Sequence, residues 1–303
     1  MLEGIYFEKE KNTLSNFIHL FISSFLRHDF YSHKDSQKHT EGIMICFRIT
    51  IAVLLLLAIN IGCARQQYIH ILKAGNVENW NKWREKNTSV KPNLRRANLI
   101  NAHLMEADLK EADLSSAHLD SSILMGADFR EAFLDSAYLM RANLRGADLD
   151  SAYLVGADFE GADLDSAYFL GADLRVANFQ GAILSLAKLE GVNLRRANLN
   201  SAYLMGADFR GADLKGTSLD SAYLMGADFR GADFGDINLS KIKTFYEAKL
   251  DPNVLSEIKE NWPEKLATIW DDTKKDWVID TALLAQVKKP DWHGWPEGKD
   301  QGN

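Results

Sequence analysis

The chain has 303 residues, room for two domains of ordinary size, and 46% aliphatic and aromatic residues from which to build a core. Its net charge of −7 opposes a general nucleic-acid binder, which carries a basic surplus. The two cysteines, Cys46 and Cys63, lie in one apolar segment, so they support neither a disulfide framework nor a cysteine-based zinc site.

In chain order, residues 1–42 hold Leu14, Phe17, Ile18, Phe21, Ile22, Phe25 and Leu26 at helical spacing, one apolar stripe on an amphipathic helix. Three readings stand: an interfacial membrane helix, a helix packed on another element, or upstream sequence that is not translated.

Residues 43–64 centre on the apolar run Ile49–Ala64, which Ile43–Phe47 extends across Arg48. A spanning helix needs about 20 apolar residues, and Arg48 can snorkel to the interface. The rival reading starts translation at Met44, with 49–61 as the apolar core of a signal peptide. Gly62-Cys63 then resembles a lipoprotein signal with lipidation on Cys63, although Asn60 stands where a leucine-like residue is usual. A buried helix is the third reading. The first two place the protein at a membrane. Lys and Arg flank the run on both sides, so its orientation stays open. Residues 65–91 read as a helix and a lead-in, with Ile69, Leu72, Val77, Trp80 and Trp83 supplying apolar surface.

From Pro92 to Lys241 the chain falls into 30 consecutive pentapeptides without an insertion. The central residue, called i, is Leu in 23 and Phe in the other 7. Position i−2 is Ala in 25, and i−1 is Asp or Asn in 18. A helix cannot hold a five-residue apolar repeat on one face, because the phase drifts by about 140° per repeat. A continuous strand would turn every second Leu outward. A chain that turns a corner about every five residues satisfies the pattern. Four corners close a coil, with i and i−2 pointing into an interior so narrow that only Ala fits beside Leu or Phe. At about 4.8 Å per coil the rod is roughly 36 Å long.

The A(D/N)LXX pattern resembles the pentapeptide-repeat family. That resemblance implies an all-β solenoid, a right-handed quadrilateral β-helix; the handedness comes from the resemblance alone. Ile71–Gly75 with Trp80–Arg84 is similar to a segment that precedes the repeats in family members, and Phe245–Pro252 is similar to one that follows the last coil. The expected architecture is this β-helix with an N-terminal membrane-anchor helix and an α-helical C-terminal cap.

Outward residues sort into columns by the 20-residue coil. One side collects Met105, Met125, Ile183, Leu186, Tyr203, Met205, Tyr223 and Met225 and is the most apolar of the four, a candidate protein-contact face. The competing reading is recent duplication, since 201–214 and 221–234 are nearly identical. Columns of Asp108, Asp128 and Asp148, and of Asp208 and Asp228, read as a solvated ladder with Arg210 and Arg230 alongside.

Residues 242–289 are expected to close the rod. Asp251 is a helix N-cap followed by Pro252, Leu255, Ile258 and Trp262 share a face, and helical sequence continues over about 264–288. Dimerisation into a homodimer is the alternative role. Residues 290–303 read as a flexible tail.

The eight histidines show no metal-ligand spacing, and there is no phosphate loop, nucleophile elbow or Cys–His pair. The expectation is a membrane-anchored, non-enzymatic solenoid presenting a rigid surface to a protein partner, without cofactor, metal or nucleic acid. The alternative is a DNA-mimic modulator of a topoisomerase such as gyrase, an activity found in family members; the repeat carries 22 Asp and Glu against 14 Lys and Arg.

Overall fold

A computed structural model describes residues 65–271, 274 and 276–289. The segments 1–42 and 43–64, with Cys63, and the tail 290–303 lie outside the described residues. Among the described residues no helix is long and apolar enough to cross a membrane.

The repeat folds as four-sided coils of 20 residues. Each i−1 residue forms a parallel bridge with the i−1 residue one coil on, from Asn93↔Asp113 through Asp213↔Asp233. Stacked rings give the rise per coil: His118–Tyr138 at 4.7 Å and Phe133–Tyr153 at 4.9 Å. The sides are named here by their first central residue: Leu94, Leu99, Leu104 and Leu109.

The backbone of one pentapeptide can be accounted for in full. Leu94 N–H donates to Asp113 O at 2.7 Å, Arg96 N–H to Ser115 O at 3.0 Å, and Asp113 N–H to Pro92 O at 2.9 Å. Ala97 N–H closes the corner on Leu94 O at 2.9 Å. One amide per repeat, that of i+1, is left over. The i−1 side chain takes it: Arg95 N–H donates to Asn93 Oδ1 at 3.2 Å, and Lys110 N–H to Asp108 Oδ1 at 3.1 Å. This local acceptor is the physical reason for Asp or Asn at i−1.

Every corner residue at i+2, from Arg96 to Gly231, has φ between 52° and 72°. Positive φ there is what a type II turn requires, and Gly or Asn meets it at least cost. Val176, with φ 62°, is β-branched and 56% exposed, so it is strained without a packing return. Val176→Gly is expected to raise stability by about 0.5–1 kcal/mol, the left-handed penalty less the entropy of glycine. An unchanged or lowered urea midpoint would contradict this.

The interior is Leu and Phe at i with Ala at i−2, essentially unexposed from Ala97 to Phe229. Two buried hydroxyls replace Ala: Ser122 Oγ donates to Leu119 O at 2.6 Å and Thr217 Oγ1 to Leu194 O at 2.7 Å. Phe159 and Phe179 stack at 4.8 Å inside the rod.

The first coil is closed by helix α1, residues 65–73, and helix α2, Val77–Lys86. Gly75 joins them at φ 65°. Trp80 is fully buried and its Nε1 donates to Asp108 O at 2.8 Å. Asn81 stands in for a missing coil: its Nδ2 donates to Glu106 O and its Oδ1 accepts from Asp108 N, each at 2.9 Å. Arg84, 5% exposed, donates to Val90 O and Lys110 O.

The rod does not end at Lys241. The pentapeptide 237–241 departs from the pattern, with a 3₁₀ turn at Leu239–Lys241. The bridge offset then becomes 21, in Tyr223↔Thr244 and Asp228↔Lys249. Lys243 N–H donates to Ala222 O while Thr244 O accepts from Leu224 N–H, so two residues face Tyr223 in a β-bulge. Ile242 and Phe245 then take the buried i−2 and i places.

Helix α3, Pro252–Asn261, begins after Asp251 as expected, but the Asp251 carboxylate makes no cap; its Oδ2 accepts from Gly231 N–H at 3.0 Å. The expected helix over 264–288 is mostly absent. A 3₁₀ turn at Pro263–Leu266 leads into an antiparallel hairpin of β1, Thr268–Asp271, and β2, Asp276–Ile279, before a short α4, Thr281–Val287. β-branched and aromatic residues crowd both strands, and that strand preference outweighs the loose helical spacing. Phe245 N–H donates to Lys265 O, and Ile258, Leu266 and Val287 are buried in the same apolar cluster as the last coils.

Candidate interaction surface

The described residues contain no grouping of His, Cys, Asp or Glu that could hold a metal ion. The surface features available are columns of side chains on flat sides. On the Leu104 side the bridges run His103↔Ile123, Ile123↔Asn143, Asn143↔Asp163, Asp163↔Ile183, Ile183↔Tyr203 and Tyr203↔Tyr223. The eight residues expected there do share this side, but not as one patch.

Ile183, Leu186, Tyr203, Met205, Tyr223 and Met225 are contiguous. Tyr203 and Tyr223 stack at 5.0 Å with planes 4° apart. Burial raises the Tyr223 hydroxyl above its ordinary pKa, with the neighbouring Tyr203 and Asp276 adding to it. Leu186 is 54% exposed and holds a left-handed φ of 59° at its corner. It lies across Gly206, where an added Cβ would sit 2.9 Å from Leu186 Cδ2. Met105 and Met125 are cut off from this patch by two polar rungs, in which Arg145 pairs with Asp163 at 3.4 Å and Asp165 at 2.7 Å.

On the other three sides, reading by columns finds the Phe133–Tyr153 pair, which the structure stacks at 4.9 Å, but misses the remaining exposed apolar side chains. Tyr138 and Met140 lie on the Leu99 side, Tyr153 on the Leu94 side, and Tyr168 with Leu170 on the Leu109 side. The signal is in the sequence, as Asp-Ser-Ala-Tyr at 135–138, 150–153 and 165–168. Its period is 15, which a 20-residue column scan separates. A tyrosine at i−1 cannot accept the leftover i+1 amide, and for Tyr138, Tyr153 and Tyr168 an Asp at i+1 one coil back takes that role. Asp120 Oδ1 accepts from Met140 N–H at 3.2 Å, Asp135 from Val155 N–H at 2.9 Å, and Asp150 from Leu170 N–H at 2.6 Å.

Ion pairs stitch the acidic columns. Arg210 donates to Asp208 Oδ1 at 2.8 Å and Oδ2 at 2.7 Å, and to Glu190 at 2.9 Å. The hydrogen bond from Arg210 holds the Asp208 carboxyl below its ordinary value, against a smaller opposing effect of burial. A carboxyl depressed in the folded state contributes stability above its unfolded pKa and loses it as pH falls through the folded one. Arg210→Ala is therefore expected to lower the melting temperature by a constant amount above about pH 5, the gap closing as pH drops below about 4. A gap that is the same at every pH would refute this.

Known proteins bear on the rod as a whole. The Pentapeptide repeats family matches in 8 copies, over residues 93–126, 122–161, 142–181, 177–211 and 202–240. Among solved structures, a trypsin-treated form of QnrB1, described as a plasmid-mediated fluoroquinolone resistance protein, is 21% identical over 55% of this chain and 88% of its own, with a TM-score of 0.35. HetL, a pentapeptide repeat protein involved in heterocyst differentiation regulation from the cyanobacterium Nostoc sp. strain PCC 7120, is 30% identical over 53% of this chain and 83% of its own, with a TM-score of 0.18. Rfr23, from the cyanobacterium Cyanothece 51142, is 29% identical over 38% of this chain and 64% of its own, with a TM-score of 0.25. No curated protein matches the sequence. The chain thus belongs to the pentapeptide-repeat proteins, and its repeat is the right-handed quadrilateral β-helix of that family.

Proposed function

We propose that the rod is a non-enzymatic platform that presents the patch around Tyr203 and Tyr223 to a protein partner, while the apolar segment 43–64 tethers it at a membrane. The observation that carries the reading is Leu186. A half-exposed leucine in left-handed backbone beside a tyrosine stack carries a backbone cost that glycine avoids at the equivalent corners Gly206 and Gly226. A rigid apolar patch rimmed by polar residues is what a protein contact uses.

The test is cross-linking in the native host, followed by mass spectrometry of captured proteins, for the wild type and for Tyr203→Ser with Tyr223→Ser. The reading predicts a partner lost from the double variant and recovered from the membrane fraction with the wild type; identical captures would reject the patch. The duplex-imitating alternative is opposed by the Leu94 side, where Arg95, Arg96, Arg175, Arg195, Arg196 and Lys215 interrupt the carboxylates. Inhibition or drug protection of gyrase supercoiling at micromolar protein would reinstate it.

A further inference from the structure

Tyr138, Tyr153 and Tyr168 succeed one another at 15 residues, three quarters of a coil. Each therefore lies one side back and most of a coil further along than the last. With Leu170, Ile183 and Leu186 they make an exposed apolar band that winds round the rod instead of running along it.

Each tyrosine has a carboxylate as its bridged neighbour on the adjoining coil: Tyr138↔Asp158, Tyr153↔Asp173 and Asp148↔Tyr168. Between Gly146 and Leu174 the chain has seven carboxylates and no Lys or Arg. Arg145 and Arg175 at the flanks engage Asp163, Asp165 and Asp173, and Arg130 reaches Asp148. Among the described residues, Asp150, Asp158 and Glu160 form no ion pair.

Rings and carboxylates thus alternate at one coil spacing, about 4.8 Å; Asp158 and Glu160, one coil beyond Tyr138 and Met140, and Asp150, one coil before Leu170, are the ones without an ion pair, while Asp148 and Asp173 already hold arginines. An arginine or lysine fits that interval: its stem and charge lie over the ring face and its head reaches the next rung. A wholly apolar partner would cover the carboxylates without pairing them, which costs desolvation energy.

We propose that the band is a docking site for a cationic segment of a protein partner, its basic side chains laid across Tyr138, Tyr153 and Tyr168 and ending on the neighbouring carboxylates. The proposal shares with the preceding section the premise that the rod binds proteins and, at the end of the band, Ile183 and Leu186; its tyrosines are not those of the Tyr203–Tyr223 patch.

The test is fluorescence anisotropy of the whole protein with a fluorescein-labelled peptide of alternating Arg and Leu. Tyr138→Ser, Tyr153→Ser and Tyr168→Ser together are expected to weaken binding about tenfold, as loss of three exposed cation–π contacts implies. Serine is tolerated at i−1, as Ser218 shows. A second variant removes only charge, with residues the rod already uses in equivalent places. Asp158→Asn repeats Asn178, Glu160→Gln repeats Gln180, and Asp150→Asn acts as Asn200 does toward Asp220 N–H. It is expected to weaken binding by a similar factor at low salt and by less as salt rises. The Tyr203→Ser, Tyr223→Ser protein should bind the peptide as the wild type does. Equal affinity of the wild type and the triple tyrosine variant would overturn the proposal, as would equal binding of an Arg–Ser peptide, which marks mere charge attraction. Neither result would touch the Tyr203–Tyr223 reading, and cross-linking that rejects that reading would leave this one standing.

Discussion

Trp80→Ala is expected to cost about 3–5 kcal/mol, the range for removing a large buried aromatic. The side chain has no exposed surface, packs against Tyr68 and Trp83 at ring distances of 5.9 and 5.4 Å, and bonds the Asp108 carbonyl. Its loss also loosens α2, which carries Asn81. The amide of Asp108 and the carbonyl of Glu106 then become an unpaired edge, a template for pairing with another chain. Urea unfolding should show the loss of stability, and sedimentation should show the variant associating where the wild type does not. Asn81→Ala separates the two effects, because it opens the edge and leaves the core intact. A Trp80→Ala protein within 1 kcal/mol of wild type would mean that the lead-in does not close the rod.

Phe179→Ala is the second large effect, again about 3–5 kcal/mol. Phe179 is fully buried, stacked on Phe159 at 4.8 Å and edge-on to Phe169 at 6.4 Å. The surrounding coil cannot collapse into the cavity, because inter-coil hydrogen bonds fix it on every side. Stability in a solenoid is close to a sum of coil and neighbour terms, so a weak coil in the middle uncouples the halves. The wild type is expected to unfold in one transition and Phe179→Ala in two. The sequence supplies the probe: Trp80 and Trp83 lie before the repeat, the other tryptophans lie after it, and none lies within it. A single sharp transition for the variant would count against this coupling.

The inward half of the fold was legible because a narrow interior admits few residues. Leu or Phe with Ala at fixed spacing left one closure, and the 20-residue columns followed. The outward half was not. Positive φ at Glu106, Arg141 or Val176 is invisible to a reading that looks for glycine at such corners, since here the coil imposes the turn on whatever residue arrives. The bulge at Lys243 and Thr244 hides in a single extra residue. The hairpin at Thr268–Ile279 shared its apolar spacing with a helix, and only β-branching told them apart. The contact face was half legible: the Leu104 column holds all eight residues, but the ion-paired rungs of Arg145 that divide it appear only when side chains are placed.

The two spacings present in this chain have different geometric consequences for growth. Copying 20 residues, as 201–214 and 221–234 suggest, adds a coil and lengthens a column without turning it. Copying 15 residues, as the Asp-Ser-Ala-Tyr segments suggest, advances the copy by three quarters of a coil and turns it through a right angle. The first builds a ruler and the second cuts a screw thread. Where the i−1 residue is Asp or Asn, or an Asp stands one coil back, the leftover amide finds an acceptor, so such a copy keeps its backbone paired. A lineage carrying such a rod can therefore alter reach and pitch independently, by duplication alone, before any point substitution tunes what the surface meets.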